Sequence, residues 1–321
     1  LNTSRTYGEG AGGCALVAPV GVNSNPETGE TNPHGITFSK SGKKMYMIGN
    51  ADTLFEYNLV GAYCIADRDT KQGFSISSKN ISTSGSGNPT GIVFDPSGTK
   101  LFAVDKNSDK VYQYVVEVPW IATAVNATAA DSSHCNCNPI SFSITDQEKI
   151  AEGITFDPSG TKMFIVGSSG ATDNNKGEVN TYNLSIPYLV TSATHASVYT
   201  MSFTDANPSG IAFDNSGTKM FISDQGTDTI RAYVLQAPYI TSSNSTGDAT
   251  EGFDSDGDPV RCSSNTFCGD SLSMSGVGGS VRDLWFDASG TKLFILEQGA
   301  KDVTVYKLAV PFVLSSATIV S

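Results

Sequence analysis

Apolar and polar positions alternate at period two in short bursts along the chain, and one burst returns five times. Asn32 to Gly49 (NPHGITFSKSGKKMYMIG) comes back as Asn88 to Val104 (NPTGIVFDPSGTKLFAV), Ile150 to Val166 (IAEGITFDPSGTKMFIV), Asn207 to Ser223 (NPSGIAFDNSGTKMFIS) and Ser280 to Leu296 (SVRDLWFDASGTKLFIL). Such alternation predicts β-strands, and the break at Asp-Pro-Ser-Gly predicts a hairpin turn. Recurrence at roughly 55 to 75 residues marks a repeat architecture, to be read one unit at a time.

A third strand follows in every unit: Leu54 to Leu59, Val111 to Val116, Val179 to Leu184, Ile230 to Leu235 and Val303 to Leu308, each with a tyrosine in register. Most copies then carry a proline–aromatic pair, Pro119-Trp120, Pro187-Tyr188, Pro238-Tyr239 and Pro311-Phe312; the first has Ala62-Tyr63. A fourth, more polar strand is predicted at Gly73 to Ser78, Ile140 to Thr145, Tyr199 to Thr204 and Ser271 to Gly276. Four antiparallel strands per unit make a propeller blade. The expected fold is therefore all-β: a five-bladed β-propeller, a single domain over residues 1–321, with repeats starting near 32, 88, 150, 207 and 280. The fifth unit ends too early for a full fourth strand, so the N-terminal segment from about residue 14 to 22 is expected to complete the last blade.

Within this frame the repeated Gly42, Gly98, Gly160, Gly217 and Gly290 are turn glycines, needed for a positive φ. Asp95, Asp157, Asp214 and Asp287 open the same turns and are fold residues rather than catalytic ones. The position just before the GIxF glycine behaves differently. It reads His34, Thr90, Glu152, Ser209 and Arg282 while its neighbours repeat, and it is expected to face the central channel. A polar ring solvating the channel mouth, with Glu152 and Arg282 paired, is the simpler explanation; a site is the other.

A net charge of −12 with no basic cluster lacks the field that nucleic acid binding requires. No apolar run approaches the length of a membrane helix, and a chain opening at Leu1 suggests a processed segment. Six cysteines, Cys14, Cys64, Cys135, Cys137, Cys262 and Cys268, suit disulfides in an oxidising compartment, with Cys262–Cys268 the nearest local pair. Zinc at Cys135, Cys137 and His134 is the competing use. Asn2, Asn80, Asn126, Asn183 and Asn244 stand in glycosylation sequons, of which Asn80, Asn126 and Asn244 fall in expected connections. Asp254, Asp256 and Asp258 alternate in an acidic loop that could take calcium, although glycine and glutamate are not where an EF-hand has them; no other cofactor is expected.

No GxSxG, HExxH or nucleophilic cysteine pattern occurs, and a glycosidase needs two carboxylates at a suitable separation where Glu152 alone has the position. The sequence therefore leads to the expectation that the protein is not an enzyme.

The run GIxFDxSGTKxF with its following VYxY strand resembles the YVTN-type and NHL-like propeller repeats of microbial surface proteins, and looks still more like propeller arrays in phage tail fibres and bacterial secreted proteins. The resemblance covers nearly the whole chain from Asn32 onward. It implies an extracellular or cell-surface propeller; the lactonase-type members use acidic and Asn ligands around the channel, which only Glu152 could match. The expected role is structural or adhesive, such as the repeating subunit of a filament that self-associates head to tail. The loops over Ile121 to Pro139 and Thr241 to Gly269 are expected on one face, to meet the next copy. A glycan- or receptor-binding propeller is the alternative, and a glycosidase or lactonase a third.

Overall fold

A computed structural model describes residues 20–21, 32–50, 53–59, 61–65, 68–75, 87–126, 139–168, 177–201, 207–235, 237–241, 251–253, 259–261, 270–274 and 279–320. After β1 (Val20–Gly21), blade 1 contains β2 (Pro33–Phe38), β3 (Lys44–Gly49), β4 (Thr53–Leu59) and β5 (Arg68–Ser75). Blade 2 contains β6 (Pro89–Phe94), β7 (Lys100–Asp105), β8 (Lys110–Val116), β9 (Val125–Asn126) and β10 (Ile140–Ser143). Blade 3 contains β11 (Ala151–Phe156), β12 (Lys162–Gly167), β13 (Glu178–Leu184) and β14 (Ala193–Thr200). Blade 4 contains β15 (Pro208–Phe213), β16 (Lys219–Asp224), β17 (Thr229–Val234) and, after a separate ribbon of β18 (Glu251–Phe253) and β19 (Pro259–Arg261), β20 (Ser271–Ser273). Blade 5 contains β21 (Val281–Phe286), β22 (Lys292–Glu297), β23 (Asp302–Leu308) and β24 (Ala317–Ile319). Every pairing is antiparallel and the innermost strands β2, β6, β11, β15 and β21 touch in a closed circle, so the chain is a five-bladed β-propeller.

Five apolar clusters hold the ring, and each spans one blade interface. Ile92 and Phe94 pack on Tyr46 and Ile48 of blade 1; Ile154 and Met163 on Phe102 and Val104 of blade 2; Ile211 and Met220 on Phe164 and Val166 of blade 3. Leu284 and Leu293 meet Phe221 of blade 4, and Ile36 and Met45 meet Phe294 and Leu296 of blade 5. Period-two alternation thus places both faces of each blade in a core, which is why strands such as β2 are buried along their full length.

The turn and the aromatic after the third strand form one device. In blade 3 the amide of Gly160 donates to the Asp157 carbonyl (2.9 Å), the amide of Lys162 donates to Asp157 Oδ1 (2.6 Å), and the amide of Tyr188 donates to the Gly160 carbonyl (3.0 Å). Tyr188 itself sits at φ +53°, and Tyr63, Trp120, Tyr239 and Phe312 share that left-handed geometry, which is rare outside glycine. The ring is thereby laid flat over the turn glycine, where an added Cβ on Gly160 would lie 2.2 Å from it. Gly160→Ala therefore meets a φ of +70° and a ring clash together, and is expected to cost about 2 kcal/mol or more in chemical denaturation. The repeated lysine after the turn reaches one blade further. Lys100, Lys162 and Lys219 donate through Nζ to the carbonyls of Tyr188, Tyr239 and Phe312.

The fourth strands differ from the sequence expectation. In blade 3, β14 runs beside β13 over eight residues, with one register shift between Thr181 and Tyr182. In blade 2 the same edge is cut in two: Val125–Asn126 pairs with Val116 and Val115, and β10 pairs with the other half of β8. The insertion expected between third and fourth strands instead interrupts the fourth, so it leaves from the outer edge of the blade. Asn126, expected in a connection, is in the short strand β9. In blade 5, β24 covers Tyr306 to Leu308, while Val20–Gly21 pairs with Val303 and Asp302. The rest of residues 14–22 lies outside the described residues.

Candidate functional site

In all five blades the register of the innermost strand slips at the residue before the repeated glycine, between Pro33 and Gly35, Pro89 and Gly91, Ala151 and Gly153, Pro208 and Gly210, and Val281 and Asp283. His34, Thr90, Glu152, Ser209 and Arg282 are the bulge residues. A bulge removes one residue from the ladder and re-aims its side chain, which frees these positions from the repeat. All five are buried. Glu152 takes Lys106 Nζ at 3.1 Å and Arg282 Nη1 at 3.8 Å. Arg282 Nε also donates to Gln298 Oε1 (2.8 Å), and Gln298 Nε2 contacts both Asn32 Oδ1 and His34 Nε2. Burial, with the Arg282 and Lys106 charges, pulls the His34 pKa down to about 3, so the ring is neutral at physiological pH. Thr90 and Ser209 act otherwise, donating to the carbonyls of Ala151 (2.8 Å) and Val281 (3.0 Å) in the next blade.

Glu152→Gln leaves Lys106 and Arg282 without their shared carboxylate. Because Lys106 is partly exposed, the expected loss is about 1 to 2 kcal/mol rather than that of a sealed pair, and it should shrink in 1 M salt in a melting experiment.

Beyond the bulges the blades come into backbone contact. A Cβ on Gly91 would lie 2.9 Å from Gly153 Cα, and one on Gly153 3.1 Å from Gly210 Cα. The fifth blade has Asp283 in place of this glycine. Its side chain is buried at the inner end of the cavity: Oδ2 accepts from the amide of Ile36 and Oδ1 from the amide of Leu284, both at 2.8 Å. Burial raises its pKa to about 8, against the two amide hydrogen bonds, so at pH 7 the group holds a proton most of the time.

From this floor a cavity of about 380 Å³ widens toward the turns. Its lower wall is Ile36, Ile92, Ile154, Ile211 and Leu284, its upper wall Phe38, Phe94, Phe156, Phe213 and Phe286, and its rim the five left-handed aromatics with Asp95, Asp157, Asp214, Asp287 and Lys40. In each blade the wall phenylalanine and the rim aromatic are 5.1 to 5.6 Å apart by ring centroid. A concave, largely apolar space of this size with one polar group at its base is the ordinary form of a small-molecule site.

Asp283, Lys106 and Gln298 have no counterpart among the residues expected from the sequence. The signal for Asp283 was present, since the position is glycine in the other four repeats. Of the remaining candidates, Cys64 is buried and disulfide-bonded, with its partner outside the described residues. Cys14, Cys135, Cys137, Cys262 and Cys268, His134, the acidic Asp254, Asp256 and Asp258, and Asn2, Asn80 and Asn244 also lie outside them. Asn183 is exposed on β13.

No family profile matches the sequence, and no curated protein matches it. Solved structures do resemble the fold. A nidogen/laminin complex matches at 13% identity over 89% of this chain and 78% of the other, TM-score 0.49. The propeller domain of Myceliophteria thermophila Cps50 (Swd1) matches at 10% identity over 87% and 83%, TM-score 0.45. The periplasmic gluconolactonase of Pseudomonas aeruginosa matches at 14% identity over 90% and 68%, TM-score 0.44, and two Bacteroides proteins of the set are candidate 6-phosphogluconolactonases. These similarities show the propeller fold alone, without the YVTN or NHL type. They also correct an expectation. The lack of catalytic motifs had pointed away from an enzyme, yet propellers bearing enzyme names share the fold, so that exclusion does not stand. Among the described residues no helix is long and apolar enough to cross a membrane.

Proposed function

We propose that this propeller binds a small organic ligand in the axial cavity, entering from the turn face. The observation that carries this is the cavity itself: about 380 Å³ of space walled by two tiers of apolar side chains, with Asp283 among its lining. The chain has two tryptophans, and both Trp120 and Trp285 line the cavity, so their emission reports on its contents. Titration with compact neutral probes such as cyclohexanol and 3,3-dimethylbutan-1-ol is expected to shift that emission and raise the melting temperature. Emission unmoved by all of them at about 10 mM would sink the reading.

An extracellular or surface location belongs to the same proposal. It is supported by the Cys64 disulfide, since such bonds persist in oxidising compartments.

A second reading, assembly with further copies or with a surface partner, is favoured by where the long insertions leave the fold. Both depart from outer blade edges, beside the short strands β10 and β20, where they can reach a neighbour without disturbing the core. Shortening residues 242–269 should then lower the sedimentation coefficient of the native particle while leaving the melting curve of the monomer intact. An unchanged particle would dismiss it.

A further inference from the structure

We propose that the ligand of the axial cavity is an organic ammonium ion, a tertiary or quaternary amine head group, held by Asp283 at the floor and by the aromatic tier above it. This rests on the cavity reading and names the chemistry of that site.

The placement of Asp283 is the first argument. At this level the other four blades have glycines with neighbouring backbone within about 3 Å of any added Cβ. The carboxyl joins blade 5 to blade 1 through the Ile36 amide, and it also brings to the cavity floor an ionisable group that the glycines of the other blades do not supply. Its two hydrogen bonds both come from backbone amides, and no described lysine, arginine or histidine forms an ion pair with it. The counter-charge is missing on the protein side and the cavity is where it can be supplied.

The second argument is the wall. A cation over aromatic faces is attracted by the ring quadrupole, more strongly once out of water, and the usual cage for a methylated ammonium is built from such rings. Here Phe38, Phe94, Phe156, Phe213 and Phe286, one per blade, line the cavity while packing into the clusters between blades. A neutral apolar ligand would use the same wall but leave the carboxylate unanswered. An anion would meet it with repulsion.

The third is the approach. Asp95, Asp157, Asp214 and Asp287 stand at the rim with Lys40, and Lys100, Lys162 and Lys219 reach the carbonyls of the rim aromatics, so the local charges roughly balance and the bias toward cations comes from the net charge of −12 on the chain. Below the floor, Arg282 and Lys106 are engaged by Glu152 and Gln298, and His34 is neutral. None of the three lines the cavity, which leaves Asp283 as the ionisable group at its inner end.

Entry of the cation displaces the proton that Asp283 otherwise holds. Affinity should therefore rise about tenfold per pH unit from pH 6 to 8 and level off above.

The test is a titration of tryptophan emission with choline and with its neutral isostere 3,3-dimethylbutan-1-ol, on the native chain and on Asp283→Asn. The expected result is choline binding at least tenfold tighter than the isostere at pH 8.5, with that preference lost in Asp283→Asn while isostere affinity stays within about twofold. Equal affinity of the two probes for the native chain overturns the ammonium assignment and leaves the cavity reading standing. If neither probe moves the emission at about 10 mM, both fall. Asp283→Gly, the residue of the other blades, guards against a variant-specific artefact: a choline preference that survives in it also overturns the proposal.

Discussion

Asp283→Asn is expected to make the protein more stable at pH 8, and to gain on the native chain steadily as pH rises. The folded-state pKa of Asp283 is raised to about 8, from an ordinary value of 3.8. Between these values the folded chain carries a proton that the unfolded chain has released, so the slope of unfolding free energy with pH from this group is negative. Its contribution is fully present below about pH 4 and is lost at about 1.4 kcal/mol per pH unit until the folded pKa is passed. Asparagine keeps the shape and removes the titration, but its NH2 cannot accept, so one of the Ile36 and Leu284 amides loses its acceptor at a pH-independent cost of about 1 to 3 kcal/mol. The variant should thus be the less stable of the two near pH 4 and gain about 5 to 6 kcal/mol on the native chain by pH 8 in urea titrations. A constant difference across that range would show that the carboxylate is not buried as described. His34 works in the opposite sense: its pKa falls to about 3, so its contribution is present above 6.5 and is lost as pH drops. The two slopes oppose one another between about pH 4 and 6.5, and the native chain should show a plateau there followed by a decline toward pH 8.

Gly91→Ala is expected to damage the inner ring severely. A Cβ there would meet Gly153 Cα at 2.9 Å and the Glu152 carbonyl oxygen and Ile154 nitrogen at 3.0 Å, all backbone of blade 3. A flexible side chain can swing away from such an atom, but two strands locked in their own ladders cannot. The blades must separate, and the Val93, Phe102 and Ile154 packing between them loosens with them. The expected loss is about 3 to 5 kcal/mol, at the upper end for point substitutions. Calorimetry on the variant decides it; a loss under 1 kcal/mol would mean that the inner ring has slack.

Most of the propeller is legible in the sequence because it is repeated. Five copies of GIxFDxSGTK, exact or near, display strand, turn and strand together, and differences between copies expose the bulge residues as a position whose chemistry changes from blade to blade. What repetition hides is anything made between blades. The aliphatic residue after the glycine looks like an ordinary core residue in one unit, and only Ile36, Ile92, Ile154, Ile211 and Leu284 around an axis reveal that they enclose space. Asp283 sits in SVRDLWF, the most divergent copy, where its replacement of glycine reads as drift until the neighbouring glycines are seen in backbone contact. The split of the outer strand in blade 2 could not be read either, since a two-residue strand such as Val125–Asn126 has no period to detect.

Five is an odd number, and the bulge circle cannot be divided evenly into couples. Thr90 ties blade 2 to blade 3 and Ser209 ties blade 4 to blade 5, each through one hydroxyl to the carbonyl that precedes the next bulge residue. Pairs of neighbours can tile an even circle completely; in an odd one a member is always left over. Here the remainder is blade 1, and its residue is His34, whose Nδ1 is buried without a hydrogen-bond partner and whose other nitrogen is served by Gln298 from across the seam. Parity thus singles out one blade in an otherwise repetitive ring, and gives a near-symmetric molecule a fixed direction in which it is incomplete.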